Sequence, residues 1–211
     1  MKSKKAIIVG AGGHSRVLLS ILNYDNDIDV VAIADRDQTC FGEVINGVNI
    51  KYSWDELDIA KNEGIDYAFI AIGDNEERAM LFKKLKLLKF KIPNVIHPTV
   101  ILERDVIMKD GNHLCMGAKV ATSVKIGSNC IVYSGSIIDH ETTIMDNVYI
   151  APGCLIAGRV TIENDVFIGI GAIIKENVVI GEGSIVGAGA VVLENVQKNS
   201  VVAGIPAKLL K

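Results

Sequence analysis

Three ionisable residues stand in a row, Asp139, His140 and Glu141, inside the stretch "SIIDHETTI", which keeps isoleucines at 138 and 144. Imidazole ordinarily titrates close to neutrality, so a histidine can take a proton from an amine or a hydroxyl at physiological pH. A neighbouring carboxylate stabilises the imidazolium. By hydrogen bonding to one ring nitrogen it also fixes the tautomer that leaves the other nitrogen as the base. The triplet could therefore supply a general base, His140, with Glu141 as its partner and Asp139 in support. A second candidate lies at 10–15, "GAGGHS", between a short apolar stretch and a helical one. Backbone N–H groups at such a helix start can hold a phosphate or diphosphate. The loop departs from the G-x-G-x-x-G dinucleotide fingerprint, because Ser15 stands where the last glycine or alanine belongs.

Elements of two kinds must position these residues. In the first half, "AIIVG" reads as a strand, "SRVLLSILNY" as a helix and "DVVAIAD" as a second strand closed by Asp35. "YAFIAIGDN" is a third strand, and "NEERAMLFKKLKLLKF" an amphipathic helix with the Asn75 side chain available as N-cap. Strands alternating with helices imply a parallel sheet, hence an α/β Rossmann-like unit over residues 1–95. A unit this small lacks the second βαβαβ half that full NAD binding uses, so dehydrogenase activity is not expected. Gly73, at the end of the third strand, lines the same crevice as the 10–15 loop.

The second half, residues 96–211, follows a different period. Every sixth residue from Ile96 to Val192 is large and aliphatic, seventeen positions without a break. Two residues before each stands a smaller set that includes Cys130, Ser136, Thr142, Cys154, Ala172 and Ala190. One large and one small inward side chain per hexapeptide fill the inside of a prism, a parallel β-helix. The inward positions around the triplet are 136, 138, 142 and 144. His140 therefore falls just past a corner and points outward, and Asp139 and Glu141 are also off the inward set.

Composition narrows the classes. The chain has 211 residues, is 49% hydrophobic but only 5% aromatic, and carries a formal net charge of -3. Without Lys/Arg runs it is not expected to bind nucleic acid. "MKSKK" precedes too short an apolar run for a signal peptide or a membrane span, so a cytoplasmic protein without a membrane partner is expected. Cys40, Cys115, Cys130 and Cys154 show no CxxC spacing and read as small buried hydrophobes in a reducing compartment. No metal is expected, since His97, His113 and His140 are not spaced for one site. His97 reads as a junction residue and His113 as a surface residue.

The runs "IGSNCIVYSGSIIDHETTIMDNVYIAPGCLIAG" and "GIGAIIKENVVIGEGSIVGAGAVV", closing in "GIPAK", resemble the hexapeptide-repeat acyltransferases. With "VGAGGHSRVL", "AIADRD", "AIGDN" and "VIHP" added, the whole chain is similar to the bacterial sugar acetyltransferases that modify sialic acid or nucleotide-linked amino sugars. The resemblance implies a left-handed β-helix with three hexapeptides per coil, acetyl-CoA as co-substrate, and a homotrimer with its active sites between subunits. It implies His140 as general base, Glu141 raising its basicity, and the Gly158 N–H on the thioester carbonyl. Ile170, Gly187 and Ala188 would flank the pantetheine arm, with Lys208 of "GIPAK" near a phosphate of the same cofactor. Gly12, Gly13 and His14 would hold the diphosphate and sugar of a UDP-linked substrate, and Asp35 with Arg36 the nucleoside.

Two positions depart from the family. Seven residues before the histidine and nine after it, where many relatives have an amide and a second histidine, stand Tyr133 and Tyr149. A phenol donates a hydrogen bond but does not titrate near neutrality. Tyr149 lies between inward Val148 and Ile150 and so points outward, either to contact acetyl-CoA or to pack at a subunit seam. The expectation is N-acetylation of a nucleotide-linked amino sugar, a UDP-4-amino-4,6-dideoxyhexose. The alternative is O-acetylation of sialic acid, which has no diphosphate for the 10–15 loop.

Overall fold

The computed structural model describes residues 4–210. It divides into two compact units, one reaching to Val95 and the other starting at Ile96. The first contains β1 (Lys4–Val9), α1 (Gly13–Leu22), β2 (Ile28–Asp35), β3 (Val44–Ile45), β4 (Val48–Ser53), α2 (Leu57–Asn62), β5 (Tyr67–Ile70) and α3 (Asn75–Leu87). The sheet order is β3-β4-β2-β1-β5, parallel except for the β3–β4 hairpin. Ala6, Ile7, Ile8 and Val9 are wholly buried, as befits a central parallel strand enclosed on both faces. The chain runs from β1 outward to β4 and then returns to the other side of β1 as β5. The topological switch point is therefore between β1 and β5, where open α/β sheets form their crevice at the carboxyl ends of the strands.

α3 corrects one expectation. Its N-cap is Asp74, whose carboxylate accepts from the Glu77 N–H at 2.9 Å, and not Asn75. Asp and Asn cap about equally well, so local propensity could not choose between them. Asn75 is instead the first helical residue, and its Oδ1 accepts from Arg78 Nη2 at 2.7 Å.

The second unit is a left-handed parallel β-helix built from two-residue strands. Each strand pairs in parallel with the strand one coil on, as Ile137 does with Leu155 and Leu155 with Ile173. Three hexapeptides thus make one coil, and three sheets make the three faces. From Leu114 to Val192 every period-six residue is buried. The small inward hydroxyls are buried too and donate to backbone carbonyls of the prism wall, Ser136 to Ala151 at 2.9 Å and Thr142 to Ala157 at 3.1 Å. The series opens less buried, with Ile96 40% exposed, because no coil of the prism precedes it.

Two readings of single residues change. His113 is buried, not a surface residue. The period puts its side chain outside the prism but carries no information on whether that outer face is covered. Cys115, Cys130 and Cys154 are buried free thiols, and burial pushes Cys115 up to about 12, whereas Cys40 is only half-buried.

The corners follow the coil repeat. One column is all glycine, 117, 135, 153, 171 and 189, each with positive φ. A second stacks Asn129, Asn147 and Asp165 at φ near +60, and their side chains form a ladder with bonds of 2.8 and 2.9 Å. Asn and Asp tolerate this region. The third column holds Ser123, Glu141, Arg159 and Asn177 at φ 60, 59, 59 and 63. Glu141 and Arg159 are poor choices there on steric grounds.

Candidate active site

That unusual corner carries the triplet. His140 lies between the strands Ile137–Ile138 and Thr143–Ile144, with its side chain 41% exposed. Asp139 Oδ1 accepts from the His140 backbone N–H at 2.7 Å, which fixes the turn. His140 Nδ1 is 3.0 Å from Glu141 Oε2, and the same carboxylate oxygen accepts from Arg159 Nε at 2.9 Å. The hydrogen bond with His140 and the Arg159 charge hold the Glu141 carboxyl below its ordinary value. Glu141 is therefore ionised at neutral pH and can only accept, so Nδ1 carries the proton and Nε2 the lone pair.

The free nitrogen has a definite neighbour. Gly158 is one coil on from His140, and a β-carbon there would lie 2.6 Å from His140 Cε1 and 2.7 Å from Nε2. Glycine is needed at this position for close approach and not for a positive φ. Among the described residues the Gly158 N–H has no acceptor within reach, while its C=O accepts from the Asn177 N–H at 3.2 Å. A lone pair close to a glycine whose N–H makes no hydrogen bond among the described residues is an arrangement that can remove a proton from a nucleophile and stabilise an oxyanion.

The remaining expected residues of this unit are elsewhere. Ile170 and Ala188 stack at the preceding corner, between the face of Tyr149, Phe167 and Ile185 and the face of Ile137, Leu155 and Ile173. Ile170 is 62% exposed. Gly187 begins the same turn, and a β-carbon on it would meet the Ala203 methyl. A whole prism face therefore separates these residues from His140 within one chain. Tyr149 is half-buried and stacked on Phe167, with centroids 4.9 Å apart and planes at 16°, and Tyr133 packs on its other side at 5.4 Å. This stack lies within one chain and is compatible with both expectations for Tyr149, an acetyl-CoA contact and packing at a subunit seam. Phe167 carries no signal in the sequence beyond an outward position one coil from Tyr149. Lys208 falls in the short antiparallel strand Lys208–Leu209.

In the first unit the loops at the carboxyl ends of β1, β2 and β5 bring Gly12, Gly13, Asp35 and Gly73 to one edge of the sheet. Gly10 turns the chain at φ 112, and a β-carbon there would sit 2.9 Å from the Ala71 carbonyl oxygen. Gly12 and Gly13 are exposed at the start of α1. Asp35 Oδ2 accepts from the Ala11 N–H at 2.6 Å and Oδ1 from the Asp37 N–H at 2.9 Å, so this carboxylate also braces the loop. Arg36 forms an ion pair with Glu77, and its guanidinium lies 5.6 Å from the centre of the Trp54 ring. Neither Glu77 nor Trp54 is legible as a partner in the sequence, since each is on a different element.

His14 is buried. Burial first, and the charge of Arg78 second, lower its pKa to about 4. Arg78 is wholly buried, and its Nη1 donates to the Gly73 carbonyl at 3.2 Å. His14 folds neutral and prefers to charge when unfolded. Its contribution to stability is thus complete above the ordinary histidine value and is lost as pH falls through that value towards 4. Thermal melts should show the midpoint falling over this window, with the fall reduced in His14→Gln.

Among the described residues no three His, Cys, Asp or Glu side chains are grouped to hold a metal, and no helix is long and apolar enough to cross a membrane.

Residues 5–85 match the PglD N-terminal domain family, and residues 123–158 and 159–194 each match the bacterial transferase hexapeptide (six repeats) family. The chain is 29% identical over 111 residues to a UDP-N-acetylbacillosamine N-acetyltransferase of Bacillus subtilis (strain 168). That match spans 51% of this chain and 50% of the relative, about half the relative's length. A crystal structure of a histidine-to-asparagine mutant of perosamine N-acetyltransferase from Caulobacter crescentus, in complex with CoA and GDP-perosamine, is 28% identical. It superposes with a TM-score of 0.93 over 98% of this chain and 97% of that one. The acetyltransferase domain of PglB from Neisseria gonorrhoeae FA1090, in complex with acetyl coenzyme A, is 27% identical with a TM-score of 0.89, over 99% and 100% of the two chains.

Proposed function

Since the chain belongs to the hexapeptide-repeat sugar acetyltransferases that carry a PglD N-terminal domain, we propose that it transfers the acetyl group of acetyl-CoA to the amine of a nucleotide-linked amino sugar, a UDP-4-amino-4,6-dideoxyhexose in the first instance. The observation that carries this reading is His140, with Nδ1 held by Glu141 and Nε2 beside Gly158. His140 Nε2 takes a proton from the sugar amine as its nitrogen attacks the thioester carbonyl. The oxyanion that forms accepts from the Gly158 N–H. Collapse breaks the C–S bond, and the imidazolium returns its proton to the departing thiolate. A positioned base contributes about 10²–10⁴-fold, and one oxyanion donor about 10²–10³-fold.

In this reading a second copy of the chain completes the site. His140 and the Ile170–Ala188 corner flank the same face of the prism, and its outward residues Ile137, Leu155 and Ile173 are 38, 43 and 42% exposed. Packing such faces around a three-fold axis would cover the aliphatic side chains and set the His140 corner of one copy against the pantetheine-flanking corner of the next. The first unit then serves the nucleotide. The N–H groups of Gly12 and Gly13 suit a diphosphate, neutral His14 and Gly73 stand behind that loop, and Arg36 with Asp35 lies towards the nucleoside.

Coenzyme A release from acetyl-CoA, measured with UDP- and GDP-linked 4-amino-4,6-dideoxy sugars and with free and CMP-linked sialic acid, tests the reading. Turnover confined to the nucleotide-diphosphate amino sugars is expected. Turnover of sialic acid alone would overturn both the N-acetyl assignment and the role of the first unit.

A further inference from the structure

Arg159 takes no part in the steps above. Yet its guanidinium bonds to the carboxylate that holds the base, at 2.9 Å, on the oxygen shared with His140. Its own backbone N–H donates to the His140 carbonyl at 2.9 Å, so both ends of the residue are tied to the catalytic turn. It directly follows Gly158 and keeps φ at 59, a conformation that an arginine adopts only at a steric cost. Glu141 shares that conformation one coil earlier, also at φ 59. Strained non-glycine residues cluster where the surrounding structure uses them. The other two corner columns answer the same demand with Gly, Asn and Asp, which suit it.

On the reading that His140 is the base, we propose that Arg159 is a positioning residue for the His140–Glu141 pair, which sets the direction of the Glu141 carboxylate and moderates its charge at the ring. A lone Glu141 on an exposed corner has three rotatable side-chain bonds and no reason to stay on Nδ1. Two donors on one oxygen leave it a single orientation, and Nε2 is then fixed beside Gly158. The positive charge also offsets part of the carboxylate field on the imidazole.

The charged groups around His140 are few. Asp139 and Glu141 lie on its own turn, Arg159 on the next coil, and Lys175 and Glu176 on the coil after that. On the earlier coils Arg104 and Asp105 occupy the same corner, and Asp105 is engaged by Thr122 and Ser123 at 2.8 Å. Of these, only Glu141 and Arg159 hydrogen-bond to the imidazole or to the carboxylate on it.

The test is the pH profile of kcat/KM for the intact protein with its amino-sugar substrate. In Arg159→Ala the acid limb should move up by about half a pH unit, the scale of an exposed ion pair, and kcat should fall by about tenfold. Added salt should move the wild-type limb towards that of the variant. Arg159→Lys keeps the charge but loses the fixed Nε–H direction, so its limb should stay near the wild-type position while kcat remains reduced. In a Glu141→Gln background, Arg159→Ala should shift nothing further. An Arg159→Ala enzyme with unmoved limb and unchanged kcat would overturn the proposal, as would a lowered kcat with the limb in place, which is what a merely structural arginine would give. His140→Gln separates this from the reading beneath it: turnover retained in that variant removes His140 as base whatever Arg159 does.

Discussion

Replacing His140 by alanine should lower kcat by about 10²–10⁴-fold while leaving the melting temperature close to that of the parent. The fold tolerates the change because the side chain points out of the prism and is 41% exposed, so no core volume is lost. The local turn is held by groups the substitution keeps: the backbone N–H on Asp139 and the carbonyl accepting from Arg159. The proposed chemistry does not tolerate it, since the ring atoms of His140 are the nearest to the place a β-carbon on Gly158 would take. The rise of kcat/KM with pH that a neutral imidazole requires should vanish in the variant. Coenzyme A release across pH 5.5–8.5, alongside melting curves, checks both statements, and undiminished turnover would remove the proposed base.

A methyl group on Gly158 should have an effect of similar kind from the opposite side. The new carbon would lie 2.6–2.7 Å from two atoms of the His140 ring, well inside contact distance, so the ring must swing away. It then gives up its bond to Glu141 or its place beside the amide N–H. A displacement of about 1 Å in such a site costs about 10²-fold in rate, so Gly158→Ala should lose about that much in kcat. Stability should change little, because φ at this position is not in the left-handed region. Gly153 provides the converse. Its φ is 69 and nothing lies within 4 Å of the place a β-carbon would take, so Gly153→Ala should cost about 1–2 kcal/mol and leave kcat alone. If both variants lost activity in proportion to stability, the close-approach argument for Gly158 would fail.

The amino-acid sequence alone determined the β-helix, because a hexapeptide that repeats one large and one small inward side chain states its direction locally, residue by residue. For the same reason it determined that His140, Asp139 and Glu141 stand outside the core, and that the 10–15 loop joins a strand to a helix. What the period could not carry were facts that depend on residues far apart in the chain or on side-chain rotamers. The pairing of Glu141 with Arg159, and the close approach of the His140 ring to Gly158, arise only when successive coils stack and the side chains settle across the corner. The burial of His113 depends on what covers an outer face. In the first unit, Asp74 displaced Asn75 as the cap of α3 because a buried guanidinium, Arg78, claimed the Asn75 side chain. Nothing in the helical pattern marked out Arg78, and only its burial revealed it bonded to the Gly73 carbonyl. Local periodicity fixes which way a side chain points, and tertiary stacking decides what it meets there.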